Sequence, residues 1–227
     1  AFNQGHEDAD MFAPESLLTP DGRRVMWAWS RMKQRLKDVP IQSSIQCLPR
    51  ELSLPADGVL RIKPLRELEQ LRYGARSEGN ISLPANAVRR LRRITGDTLE
   101  LRLVFQPGSA RTCGVQAHCD PDGRNGFPIT FEPAAKTLAL GETRIPFTLM
   151  PGEDLELRVF LDKSIIEVFA NDRLAALEPH RYAPQDLGVS LFSEGGSVRV
   201  REIKGWKLRS IYTGTSTFAP ASAPGRR

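Results

Sequence analysis

Two thiols and an imidazole lie within seven residues, Cys113-Gly-Val-Gln-Ala-His118-Cys119, and these are side chains that bind zinc. The spacing is not that of a C-x₂₋₄-C pair, and no second pair follows. On an alternating strand Cys113 and Cys119 share one face and His118 takes the other. That arrangement fits free core thiols better than zinc or a disulfide. Asp120-Pro-Asp-Gly-Arg124-Asn-Gly126 opens like a calcium loop. Arg124 stands where a ligand oxygen belongs, and Phe131 stands where the closing Glu belongs, so a tight turn is expected instead. Glu167 sits in Ile165-Ile166-Glu167-Val168-Phe169, on the face of Ile165 and Phe169. A carboxylate desolvated there could serve as an acid with a raised pKa. It could equally pair with an Arg or cap a loop. His6, His118 and His180 lack the spacing of a catalytic triad. No nucleophile elbow, phosphate loop or dinucleotide fingerprint occurs. The expectation is therefore no metal and no cofactor.

The chain carries a net charge of +5 with a pI near 9.4. Part of the excess is one run, Arg89-Arg90-Leu91-Arg92-Arg93. A nucleic-acid surface would use such a run, and its signature would be salt-sensitive binding. No helix-turn-helix, zinc-finger or RNP pattern accompanies it, so it reads as a solvated edge with no nucleic-acid partner. No apolar stretch approaches the ~18 residues of a membrane helix, and no membrane partner is expected. Residues 1–10 are polar and do not read as a signal peptide.

Short alternating segments dominate. Arg24-Val-Met-Trp27-Ala-Trp29 follows the turn signal Thr19-Pro-Asp-Gly22 and predicts a strand. Residues 48–54 and 59–62 flank Pro55-Ala-Asp-Gly58 and predict a hairpin. Leu65, Leu68 and Leu71 recur every three residues behind Pro64, which predicts a short helix over 64–72 and the best domain border. Beyond about residue 78 the period is two. Strands are predicted at 98–105, 126–131, 136–140, 155–161, 164–170, 187–192 and 198–208. That spacing indicates an antiparallel β-sandwich or barrel. Residues 211–227 are rich in Thr, Ser, Ala and Pro and read as a disordered tail.

Three segments, in this order, resemble one family. Phe12-Ala-Pro-Glu15-Ser with Gly22-Arg-Arg-Val-Met-Trp27-Ala-Trp29 resembles the last-blade motif of glycoside hydrolase family 32, the invertases, inulinases and levanases. Leu48-Pro-Arg50-Glu-Leu-Ser53 resembles that family's next segment. Leu161-Asp-Lys-Ser-Ile-Ile-Glu167-Val-Phe-Ala-Asn-Asp172 resembles the hairpin signature of its C-terminal sandwich. The resemblance covers about residues 8–208 and implies an all-β chain: an antiparallel β-sandwich preceded by the last-blade remnant of a five-bladed β-propeller.

It further implies residues 1–63 as the propeller remnant, 64–75 as a helical linker and 76–210 as the sandwich. The implied chemistry is retaining hydrolysis of sucrose or fructans by two carboxylates ~5–5.5 Å apart. The family draws these from W-M-N-D-P-N-G and E-C motifs, helped by R-D-P, and none of the three strings occurs here. The fragment alone is expected to be inactive. Phe12, Glu15 and Trp29 align with sugar-contacting positions; Phe12 replaces a frequent Tyr, and Glu15 a frequent Gln. The other reading of Phe12, Trp27 and Trp29 is packing within the blade. The sandwich would buttress the propeller and offers a surface for self-association. A secreted or periplasmic setting is favoured over a cytoplasmic one. The competing class is a stand-alone carbohydrate-binding or interaction sandwich.

Overall fold

The computed structural model describes residues 11–31 and 44–212, with Met11, Phe12, Arg31 and Ser44 described by backbone alone. His6 and the tail from residue 213 onward lie outside the described residues. Every strand pair is antiparallel, and the strands form three sheets.

The first sheet holds β1 (Met11–Leu18), β2 (Arg24–Arg31), β3 (Ser44–Gln46), β4 (Arg50–Ser53) and β5 (Arg61–Pro64). Its order is β1-β2-β4-β5, with β3 also paired to β2. The predicted hairpin is β4–β5, but its second strand starts two residues late. Asp57 accepts the Val59 N–H at 3.0 Å and Arg61 donates to the Val59 carbonyl, so the turn residues stay out of the ladder.

The helix predicted over 64–72 is a 3₁₀ segment, Arg66–Leu71. Pro64 closes β5, and the next strand already starts at Arg72. A leucine every third residue matches the three-residue turn of a 3₁₀ helix rather than the 3.6 of an α-helix. The segment is held from both sides. Leu65 N–H donates to the Pro49 carbonyl at 2.8 Å, and Arg209 N–H to the Leu71 carbonyl at 2.9 Å.

The remaining strands are β6 (Arg72–Leu83), β7 (Ala87–Thr95), β8 (Thr98–Gln106), β9 (Thr112–Cys119), β10 (Phe127–Glu132), β11 (Thr137–Leu140), β12 (Thr143–Pro146), β13 (Leu155–Asp162), β14 (Ile165–Ala170), β15 (Leu174–Pro179), β16 (Gly188–Glu194) and β17 (Val198–Leu208). They form two six-stranded sheets, β12-β11-β10-β9-β16-β7 and β15-β14-β13-β8-β17-β6. Alternate residues of each sheet meet in one core. Leu101, Leu103, Phe105, Leu157 and Val159 from one sheet join Val115, Ile129, Phe131 and Leu191 from the other, all 2% exposed or less. Of the sandwich or barrel that the two-residue period allows, this is the sandwich. The arginine run lies on β7, an edge strand, with Leu91 buried and its four arginines exposed. Charge on an edge strand discourages pairing with another chain.

One face assignment is corrected. His118 has φ of +54° and sits at a bulge, with Ala117 opposite Val189 but Cys119 opposite Gly188. The extra residue reverses the alternation. Cys113 therefore points into the core, while Cys119 lies on the face of Ser190. All three cysteines are buried free thiols. Burial pushes the Cys47 and Cys113 thiols up to about 12, which keeps them unreactive near neutral pH. The Asp120 turn is as expected. Its Oδ1 accepts the N–H groups of Asp122 and Arg124 at 2.9 and 2.8 Å, and Oδ2 accepts from the Asn125 side chain.

The bulge also buries His118 to 1% exposure, stacked 4.0 Å from Tyr182 and 5.7 Å from His180. Neither ring nitrogen has a hydrogen-bond partner among the described residues. Desolvation, then the nearby His180, lowers its pKa to about 4. The unfolded imidazole titrates near ~6.5, so protonation opposes folding. Stability should be unaffected above pH ~6.5 and fall as the pH drops toward 4, by on the order of 3 kcal/mol from this residue. Urea unfolding at stepped pH checks this. His118→Phe should flatten the loss over that window, and an unchanged slope would show that other groups cause it.

Candidate functional site

Trp27 and Trp29 are two apart on β2, so they share a face of the first sheet. Across from them β1 carries Phe12 opposite Trp29 and Glu15 opposite Trp27. The separation of Phe12 and Glu15 is odd and would put them on opposite faces of a regular strand. The strand is not regular there: a bulge at Ala13-Pro14 shifts the register between them, with Ala13 at φ +44°. On the other side of Trp29 the register places Gln46 of β3.

The result is an open groove of about 450 Å³ lined by Ala13, Glu15, Trp27, Ala28, Trp29 and Gln46. The indoles are half-buried and Glu15 is exposed. Two of the three expected site residues, Glu15 and Trp29, thus line one groove. Phe12 is paired with Trp29 through its backbone. Trp27 and Gln46 were not among the expected contacts. Trp27 carries a signal in its i, i+2 spacing from Trp29. Gln46 carries none, because its place depends on how residues beyond β2 return to that strand.

Indole faces can stack on the apolar face of a sugar ring, while a carboxylate and an amide fix its hydroxyls. Hydrolysis with retention needs two carboxylates ~5–5.5 Å apart, and Glu15 is the one carboxylate among the described residues lining the groove. Among the described residues no group of three or more His, Cys, Asp or Glu is arranged to hold a metal ion.

Glu167 lies outside the groove, on the outer face of β14 and 2% exposed. Its Oε1 accepts from Arg50 Nη2 at 2.5 Å, and its Oε2 accepts the Leu48 N–H at 2.9 Å. Both expected structural roles are thus filled at once. The Arg50 guanidinium also sits 5.6 Å over the Phe169 ring. Around this pair Ile62, Phe160, Phe169 and Ala175 form an apolar cluster joined by Leu48, Leu52, Leu60, Leu68 and Leu208. Ile62 N–H donates to the Asp172 carbonyl at 2.6 Å. The first sheet is therefore seated on the sandwich.

Residues 67–207 match a family model described as the C-terminal part of glycosyl hydrolases family 32. A levanase of Bacillus subtilis (strain 168) is 29% identical, over 87% of this chain and 32% of its own length. A raffinose invertase of Escherichia coli is 30% identical, over 91% of this chain and 44% of its own. The chain thus spans a third to under a half of these relatives' length. In fold it is similar to fructan 1-exohydrolase IIa from Cichorium intybus, with a TM-score of 0.76 at 18% identity, covering 89% of this chain and 48% of that one.

The buried pair generates a prediction. Removing one partner breaks a buried ion pair, so Glu167→Ala should destabilise the chain by roughly 3–5 kcal/mol, read as a lower urea midpoint at constant slope. Arg50→Met combined with Glu167→Gln should recover most of that loss, because Gln still accepts from Leu48 and no charge is left unpaired. A double variant as weak as Glu167→Ala would remove the charge left by the broken pair as the cause.

Proposed function

The chain belongs to glycoside hydrolase family 32 as a C-terminal part, and from that premise we propose that it is the C-terminal portion of a retaining hydrolase of β-fructosides, sucrose or fructans. The first sheet is the last blade of the catalytic propeller, the 3₁₀ segment is the link, and the sandwich supports the blade from outside. Within that enzyme the groove forms one rim of the sugar pocket. Trp29 offers the sugar an apolar surface, Phe12 on the paired strand is a further contact, and Glu15 accepts from the sugar's hydroxyls. The catalytic carboxylates are supplied by other blades.

The observation that carries this reading is the groove: two indoles, a carboxylate and an amide on one open face. Its setting adds support. The adjacent Leu17 and Leu18 of β1 are 47% and 62% exposed. Neighbouring strand residues point to opposite faces, so both faces of β1 present apolar surface. That is what a blade needs when others pack beside it. The names of the relatives, a levanase and an invertase, support the substrate class.

The purified chain should release no fructose from sucrose, inulin or levan above a buffer blank. Release that a single substitution such as Glu15→Gln abolishes would reveal a catalytic pair in this chain. In a longer protein that supplies the carboxylates, Trp29→Ala should lower kcat/KM by roughly ten-fold, the order expected for losing one stacked aromatic. Unchanged kcat/KM with a lower melting temperature would assign Trp29 to packing alone.

A further inference from the structure

We infer that Glu167, a sandwich residue outside the groove, is a positioning residue of the groove, acting through Leu48 and Arg50 on the wall formed by Gln46 and on the tryptophan strand. The inference rests on the sugar reading of that groove and adds to it that the sandwich sets the geometry of the sugar site.

The path is short and continuous. Glu167 is held in the ladder between Phe160 of β13 and Leu177 of β15. From that rigid place its carboxylate takes the Leu48 N–H and the Arg50 guanidinium. Leu48 is two residues from Gln46, and the intervening Cys47 donates its N–H to the Ala28 carbonyl at 2.9 Å. Ala28 lies between the two groove tryptophans and itself lines the groove. Arg50 in turn pairs with Met26 on the same β2 strand. One carboxylate thus holds Leu48 and Arg50, in a segment that is itself joined to β2 at Cys47 and at Arg50. Burial, then the nearby Glu167 carboxylate, raises the Cys47 thiol, which places the carboxylate close to this segment. Without Glu167 the Leu48 N–H loses this acceptor and Arg50 loses this ion pair, and a segment that loses such bonds opens locally before the fold is lost.

The test reads the indoles directly. Of three tryptophans, Trp206→Phe leaves only Trp27 and Trp29. In that background, acrylamide quenching and emission maxima are measured well below the melting temperature. Glu167→Ala should roughly double the quenching constant and shift emission to the red, as half-buried indoles gain solvent access. Glu167→Gln, which still accepts from Leu48, should fall between it and the parent. Val168→Ala, in the sandwich core next door, should lower stability without moving either reading. The inference is overturned if Glu167→Ala matches Val168→Ala in both. Should Glu167→Ala fail to fold, Arg50→Lys and Glu167→Gln carry the same comparison, and parent-like quenching in both overturns it. No sugar enters the measurement. A groove that moves but binds no β-fructoside would therefore sink the sugar reading and leave the positioning role standing.

Discussion

The Arg50–Glu167 pair is the contact on which the relation between the two halves of this chain depends. The side chains are 0% and 3% exposed. Two charges taken so far out of water are stabilising only when they meet in good geometry and their other bonding sites are filled. Here the second carboxylate oxygen takes a backbone N–H and the guanidinium lies over an aromatic ring, while Arg50 Nε makes no hydrogen bond among the described residues. The apolar cluster around them contributes area, but area alone would tolerate sliding. The ion pair has one register. It therefore fixes where β4 sits on the sandwich, and with β4 the β2 strand that carries both groove tryptophans.

A second buried carboxylate does related work a few strands away. Glu100 on β8, 0% exposed, accepts two bonds from Arg72 at 2.7 and 2.6 Å and two from Arg158 at 3.0 and 2.5 Å. Arg72 is the first residue of β6, directly after the 3₁₀ segment, and its guanidinium lies 4.3 Å over the Trp206 ring. So the start of the sandwich is fastened where the link ends. Farther along the same outer face Arg102 bridges Glu156 and Glu202 at 33% exposure, where such pairs are worth little. The contrast is between buried carboxylates at the joints and screened pairs on the open face.

The parts legible in the sequence are those whose burial follows one period. β8, β13 and β14 alternate because one face meets the core and the other faces the chain's exterior or the first sheet. β15 was not individually readable: Leu174–Pro179 is buried at every position, and a continuous short apolar run does not announce its conformation. β6 was missed for the opposite reason, being an edge strand that is polar over most of its length. The reversal at His118 is invisible without the partner strand, since a bulge is a property of a pair. In the groove, the indole spacing was legible and Gln46 was not, because tertiary return of the chain put it there. Glu167 was visible as a carboxylate among apolar residues, but its partner lies 117 residues away, and no local pattern names it.

The edges of the three sheets are treated differently. β7 carries exposed arginines, and Glu78 takes the N–H groups of Arg92 and Arg93 at 2.9 and 3.1 Å. β15 lies beneath β5, and β12 presents the Arg144–Glu132 pair. β1 is guarded only in part: its first half has the bulge, Pro14 and Glu15, while its second half ends in two exposed leucines. An edge meant to stay in water is usually charged, bulged or covered. The guarded half borders the groove, where an open surface is useful to a ligand. The unguarded half is where apolar cover from another element would be favourable, at ~25 cal/mol for each Å² removed from water. A sheet locked to the sandwich on one side and apolar at its free edge is built to pass a fixed orientation on to whatever packs there. In the enzyme proposed here that is the rest of the propeller, so the two buried carboxylates of the sandwich would fix one rim of a site whose acid and nucleophile lie on other blades.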